Sequence, residues 1–124
     1  MRRVCISLLS AILLAAACGE AAVQPRSIAG ADSGRGRAVI KKVGCAACHE
    51  IPGVRWPRGR VGPSLAGFAE QALIAGRFPN QPELLGLWVR NAPALSPQTG
   101  MTPMPITEQE ARDVAAYLYT LDNR

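Results

Sequence analysis

The stretch Cys45-Ala46-Ala47-Cys48-His49 places two thiols and an imidazole within five residues. No other feature limits so strongly what the chain can fold into. Three chemistries use such a cluster: a structural zinc site, a redox-active dithiol and covalent attachment of haem. Each needs a different frame around it, so the rest of the sequence has to choose.

Zinc fits poorly. A structural zinc site takes four ligands, usually as two Cys-x-x-Cys or Cys-x-x-His pairs. The chain has four cysteines and one histidine, and its other cysteines, Cys5 and Cys18, lie in an apolar leader. His49 directly follows Cys48, which is poor geometry for closing on one ion together with both sulfurs. A thioredoxin-like dithiol would open a helix within a βαβ frame. No strand alternation of useful length is visible, and the motif follows a helix instead of opening one. Haem uses every residue. The two thiols add across two porphyrin vinyl groups, the two-residue spacer spans them, and the adjacent imidazole reaches the iron from the same side.

The leader supports this choice. "MRRVCISLLSAILLAAACGE" opens on two arginines, runs uncharged and mostly apolar from Val4 to Ala17, and ends in small residues. That is the layout of a secretory signal, and it falls short of the roughly 20 apolar residues of a spanning helix. Residues 1–18 are read as the signal, 19–31 as a linker and 32–124 as the folded domain. Export places that domain in a periplasmic or other extracytoplasmic, oxidising compartment. "LAAAC" resembles a lipoprotein processing site, which would make Cys18 the lipid-bearing residue and tether the domain to a membrane. Ordinary cleavage after Ala17 or Ala22 is the alternative.

The formal charge is +5, or +3 without Arg2 and Arg3. Arg35, Arg37, Lys41 and Lys42 precede the motif, and Arg55, Arg58 and Arg60 follow it. Glu108, Glu110, Asp113 and Asp122 gather near the C-terminus. The plain reading is a solvated surface. The functional reading is a basic face that steers an acidic protein partner. A nucleic-acid partner is not expected, because few aromatic residues are available for stacking.

Helix signals mark the domain. Asp32 or Ser33 caps a first helix over "GRGRAVIKKV", which Gly34 and Gly36 weaken by about 1 kcal/mol each relative to alanine. Such a cost suggests close helix contact. Leu65, Phe68, Ala69, Ala72 and Leu73 have helical spacing, with Gly76 as the stop. Asn80 and Glu83 form a capping-box signal for a helix ending near Asn91. Thr107 and Glu110 cap the last helix, whose Val114, Tyr117, Leu118 and Leu121 make one buried stripe. The domain is expected to be all-α, with three to five short helices. A core this thin, in roughly 100 residues with Pro-rich loops, leaves room for a porphyrin.

His49 is the sole histidine, so the opposite axial position falls to methionine, to a weaker substitute or to none. Outside the leader only Met101 and Met104 are available, both in the Pro-rich loop before the last helix. Either sulfur could reach the iron. A thioether ligand raises the potential relative to two histidines and suits electron transfer.

These residues resemble the class I bacterial cytochromes c from about Ser33 to Leu121. Gly36 and Ile40 match the pattern before the haem motif, although relatives often carry an aromatic where Ile40 stands. Gly62, Pro63 and Leu65 match "GP-x-L", and Ala116, Tyr117 and Leu118 match the terminal "AYL". The resemblance implies the class I cytochrome c fold, with short helices wrapped around one covalently bound haem c. It implies thioether attachment through Cys45 and Cys48, axial ligation by His49 and a Pro63 carbonyl bonded to the free ring nitrogen of His49. Gly36 would let the first helix cross the last near Tyr117. Family spacing puts the sixth ligand at Met101, while the Met-Pro pattern favours Met104 as the alternative. Trp88 would lie near a haem propionate or simply in the core. A weaker likeness links "GRFPN-x-PE" and "ARDVAAYLYTL" to small cytochromes c near respiratory oxidases.

The expected function is single-haem electron carriage by a monomer, not enzyme catalysis. Its partners would be redox proteins such as a membrane oxidase, a reductase or a dehydrogenase, met at a haem edge flanked by Ala46, Ala47 and nearby arginines. A fixed subunit of a larger oxidase or reductase is the alternative, and a haem peroxidase or gas-binding protein a more distant one.

Overall fold

The computed structural model describes residues 26–123. The signal, Cys18 and the first part of the linker lie outside them. The described chain runs α1 (Ser33–Val43), a 3₁₀ turn (Cys45–Ala47), a second 3₁₀ turn (Phe68–Glu70), β1 (Leu73–Ile74), β2 (Phe78–Pro79), α2 (Pro82–Leu95) and α3 (Glu108–Leu118). No helix among these residues is long and apolar enough to cross a membrane. The class I cytochrome c fold expected from the sequence is the one observed: α1 and α2 each pack on α3.

The crossing of α1 on α3 rests on a missing side chain. A Cβ at Gly36 would overlap the Asp113 carbonyl and crowd the Val114 nitrogen. Only glycine lets the two backbones approach so closely. The contact lies one turn before Tyr117, the residue expected to meet Gly36. Val39 and Ile40 of α1 and Val114, Ala115 and Leu118 of α3 fill the seam on either side.

Asp32 caps α1 by accepting from the Arg35 amide at 2.6 Å. Thr107 and Glu110 form a complete capping box on α3: the Glu110 amide donates to Thr107 Oγ1 at 3.1 Å and the Thr107 amide to Glu110 Oε2 at 2.8 Å. Both starts follow from the sequence signal.

The middle of the chain differs from expectation. Residues 65–76, expected to be helical, form only the short 3₁₀ turn and then the antiparallel hairpin β1–β2, with Leu73 opposite Pro79 and Ile74 opposite Phe78. Ala75 and Gly76 both have positive φ, at 50° and 67°. Two such residues in succession turn the chain back on itself and end any helix. The hairpin is held from below by Asn80. Its side chain donates to the carbonyls of Gln71 (2.9 Å) and Phe68 (3.3 Å) and accepts from the Tyr119 hydroxyl (3.0 Å). Asn80 therefore does not cap α2, whose N-cap is Gln81 without a side-chain bond.

Helix α2 also runs past its expected end. It breaks at Asn91 (φ −153°, ψ 70°) and resumes as a last turn through Pro93. Pro93 has no amide hydrogen to continue the ladder. Asn91 Oδ1 accepts from the Ala94 amide at 3.3 Å and so caps the resumed turn.

The last residues of the expected linker pack on the domain. Arg26 donates to the Ala69 carbonyl at 3.2 Å and lies 5.2 Å above the Tyr119 ring, and half-buried Ile28 joins the core.

Candidate cofactor site

Helix α1 delivers the motif. Gly44 ends the helix in the left-handed region (φ 79°), where glycine carries no steric penalty. The Cys45–Ala47 turn follows at once. The Cys48 and His49 amides both donate to the Cys45 carbonyl, at 3.2 and 3.1 Å, so the two thiols stand one tight turn apart. Cys45 is half-buried and Cys48 exposed, and the two are not joined in a disulfide. Burial pushes the Cys45 thiol above its usual pKa. Ala46 is buried and Ala47 exposed.

A strap then locks the motif. The loop returns alongside it, and the Gly59 and Gly62 amides donate to the Ala46 and Cys48 carbonyls, each at 2.8 Å. The Leu65 amide reaches the Glu50 carbonyl at 2.9 Å. Arg58 pairs with Glu50 at 2.5 Å and closes the loop at its surface. Both strap glycines are needed for close approach. A Cβ at Gly59 would overlap the Ala47 backbone, and one at Gly62 would overlap the His49 ring.

The strap ends on the histidine. His49 Nδ1 lies 2.7 Å from the Pro63 carbonyl oxygen. A carbonyl only accepts, so Nδ1 carries the ring hydrogen and donates it. Nε2 is then left with its lone pair, the form in which imidazole binds a metal. The ring is thus oriented and set in one tautomer. Among the described residues no three His, Cys, Asp or Glu side chains come together to hold a bare ion. The donor set of two cysteine sulfurs, one turn apart beside one oriented imidazole, fits a covalently attached haem.

The methionines lie in another loop. The Met104 amide donates to the Arg90 carbonyl of α2 at 2.9 Å. Met104 borders a hollow of about 440 Å³ together with Leu87, Leu95 and Ile106. The Met101 amide donates to Thr99 Oγ1 at 3.2 Å. Both methionines are half-buried. Cys45, Cys48, His49 and Pro63 thus form one bonded group, and the two methionines stand on a separate loop tied to α2. Trp88 is half-buried and packs its ring on Phe78, with centroids 5.7 Å apart.

One residue of the frame was hidden in the sequence. Asp113, grouped there with the solvated carboxylates, is buried at 3% exposure. Its Oδ1 accepts from the Asp32 amide (2.8 Å), Arg35 Nη2 (2.9 Å) and Gln109 Nε2 (3.1 Å), and its Oδ2 from Arg35 Nε (2.8 Å). The paired Arg35 guanidinium holds the carboxyl below its usual pKa. This fork ties the start of α1 to α3 beside the Gly36 crossing.

Comparison with known proteins agrees with this geometry. The family model described as "Cytochrome c" matches residues 33–122. The chain is 31% identical over 88 residues to cytochrome c oxidase subunit 2 of Alkalihalophilus pseudofirmus. That match takes in 70% of this chain and only 25% of the relative, so the chain spans about a quarter of that protein's length. This chain belongs to the cytochrome c family, whose chemistry is electron transfer through covalently bound haem c.

Proposed function

We propose that this protein is an exported carrier of single electrons, built around one haem c. Cys45 and Cys48 would hold the group by two thioether bonds, and His49 would offer Nε2 to its iron. Bound haem supplies a site that gains and loses one electron. The chain's own residues hold that site rigid. The strap from Gly59 to Pro63 fixes the motif backbone, and the Pro63 carbonyl keeps the imidazole oriented and strengthens it as a donor. Met101 would supply a sulfur ligand to the same group, with Met104 as the alternative. Family spacing to the last helix is what favours Met101 over Met104.

The observation that carries the proposal is the 2.7 Å bond between His49 and Pro63. It commits one ring nitrogen and leaves the other available. With the His49 nitrogen and the Met101 sulfur both holding a bound haem, its iron would have no open position for substrate, which would separate a carrier from a peroxidase or gas-binding protein. The protein works as a monomer in the periplasm, tethered through a lipid on Cys18 or free, and passes electrons to a membrane oxidase or reductase. A second reading, a fixed subunit of such a complex, draws support from the likeness to an oxidase subunit.

Carbon monoxide tests the proposal. Added to the reduced protein at neutral pH, it should bind weakly and slowly, because a sulfur ligand has to leave first. Rapid, tight binding would overturn the carrier reading.

A further inference from the structure

Helix α1 and the loop after the motif enclose an open cleft of about 420 Å³. Arg37, Lys41 and Arg55 line it together with Ile40, Trp56 and Pro57, and no carboxylate takes part. Two neighbouring cations are neutralised within the chain, Lys42 by Glu110 at 3.3 Å and Arg58 by Glu50 at 2.5 Å, while Arg60 is in no ion pair among the described residues and does not line the cleft. Arg37 is held by the Gly53 carbonyl, to which its Nε donates at 3.1 Å. Lys41 and Arg55 have no ion-pair partner among the described residues.

Beside these free charges stands Trp56, 85% exposed. An indole left in water forgoes the burial that normally stabilises a tryptophan. The loop that carries it is not loose. Val54 is buried, its amide donates to the Ile51 carbonyl at 3.0 Å, and Gly59 is bonded to Ala46. Trp56 is therefore presented on a rigid base, which reduces the ordering cost of a contact made through it. Tryptophan and arginine are also the side chains most enriched among the residues that dominate protein interfaces.

We propose that this cleft docks the acidic face of a redox protein. A partner carboxylate enters between Lys41 and Arg55, and Trp56 packs on apolar surface next to it. The carrier reading above supplies only the identity of the partner as a redox protein. Charge complementarity favours an acidic protein over an anionic membrane. Surface binding to lipid uses a broad basic face or a run of four to eight cations, whereas this site is concave and offers three cations, one of them tied to a carbonyl, and one indole.

The test is an NMR titration of the ¹⁵N-labelled, haem-loaded protein at low salt, with poly-L-glutamate and, separately, phosphatidylglycerol vesicles. Poly-L-glutamate should shift the Trp56 indole signal and the Lys41 and Arg55 amides. Arg55→Glu should abolish those shifts, and Trp56→Ala should weaken binding about tenfold, within the range of interface anchors. An unchanged haem spectrum in both variants shows that they fold. Two results would overturn the proposal. One is a diffuse response over all cations, including Lys42 and Arg112, that survives Arg55→Glu. The other is Trp56 responding to vesicles and not to poly-L-glutamate, which would make the cleft a membrane contact. A redox titration of the same sample scores the carrier reading separately, because a protein that cycles without binding defeats the docking site alone.

Discussion

His49 donates its Nδ1 hydrogen to the carbonyl of Pro63, fourteen residues further on, across 2.7 Å. The loop that makes this bond passes so close to the ring that the residue before Pro63 has no room for a side chain. Gly62→Ala should therefore displace the imidazole and destabilise the fold by about 1–3 kcal/mol, the usual range for overpacking. Pro63→Ala keeps the carbonyl and should cost only about 0.4–1 kcal/mol through a freer unfolded chain. Urea denaturation of both variants checks the difference.

The Gly36 crossing gives a second contrast. Gly36→Ala puts a methyl group into the Asp113 backbone and should cost about 3 kcal/mol. Gly34→Ala in the same helix meets only the Asp32 side-chain oxygen at 3.2 Å. It should be neutral or stabilising by up to about 1 kcal/mol through helix propensity. Thermal denaturation of the pair separates close contact from propensity.

Asp113 makes stability depend on pH. Its carboxyl is held low by Arg35, so its folded pKa lies below the unfolded value of about 3.9. The stability it contributes is complete above the unfolded value and is lost as pH falls through the folded one. Asp113→Asn should cost about 2–3 kcal/mol at pH 7, the scale of hydrogen bonds to a charged group. The gap between the two proteins should close progressively below about pH 4. A gap that stays constant down to acid pH would mean that the charge of Asp113 is not what stabilises the fold.

Much of this frame was readable in advance. The caps at Asp32 and Thr107 are local, set by side chains three residues from the amides they bind, and local signals survive folding. The crossing glycine announced itself because it weakens the helix it sits in. Other features depend on contacts distant in sequence. The spacing of Leu65, Phe68, Ala69, Ala72 and Leu73 fits a helix, but Ala75 and Gly76 turn the chain into a hairpin. Asn80 looks like a cap until Tyr119 and the carbonyls of Phe68 and Gln71 claim its side chain. Asp113 lies among exposed charges in sequence and is buried only because α1 arrives with Arg35. In the candidate site, Cys45, Cys48 and His49 were plain from their spacing. The strap bonds of Gly59 were not, since nothing local says which carbonyl a loop amide will meet.

The choice of sulfur ligand can be read from two variants. Met101→Ala should abolish the weak sulfur-to-iron absorption band of the oxidised protein and lower its reduction potential, because a thioether ligand raises the potential. Met104→Ala should keep the band, because its sulfur is not the ligand in this reading. Persistence of the band in Met101→Ala would transfer the assignment to Met104.

The central claim is that one covalently held haem cycles by single electrons. A potentiometric titration of the natively matured protein, followed through its reduced-minus-oxidised spectrum, tests it most directly. The account predicts one reversible one-electron transition with the spectrum of a haem attached by two thioether bonds and ligated by histidine and methionine. Two resolved transitions, or a reduced spectrum with an open iron position, would contradict it.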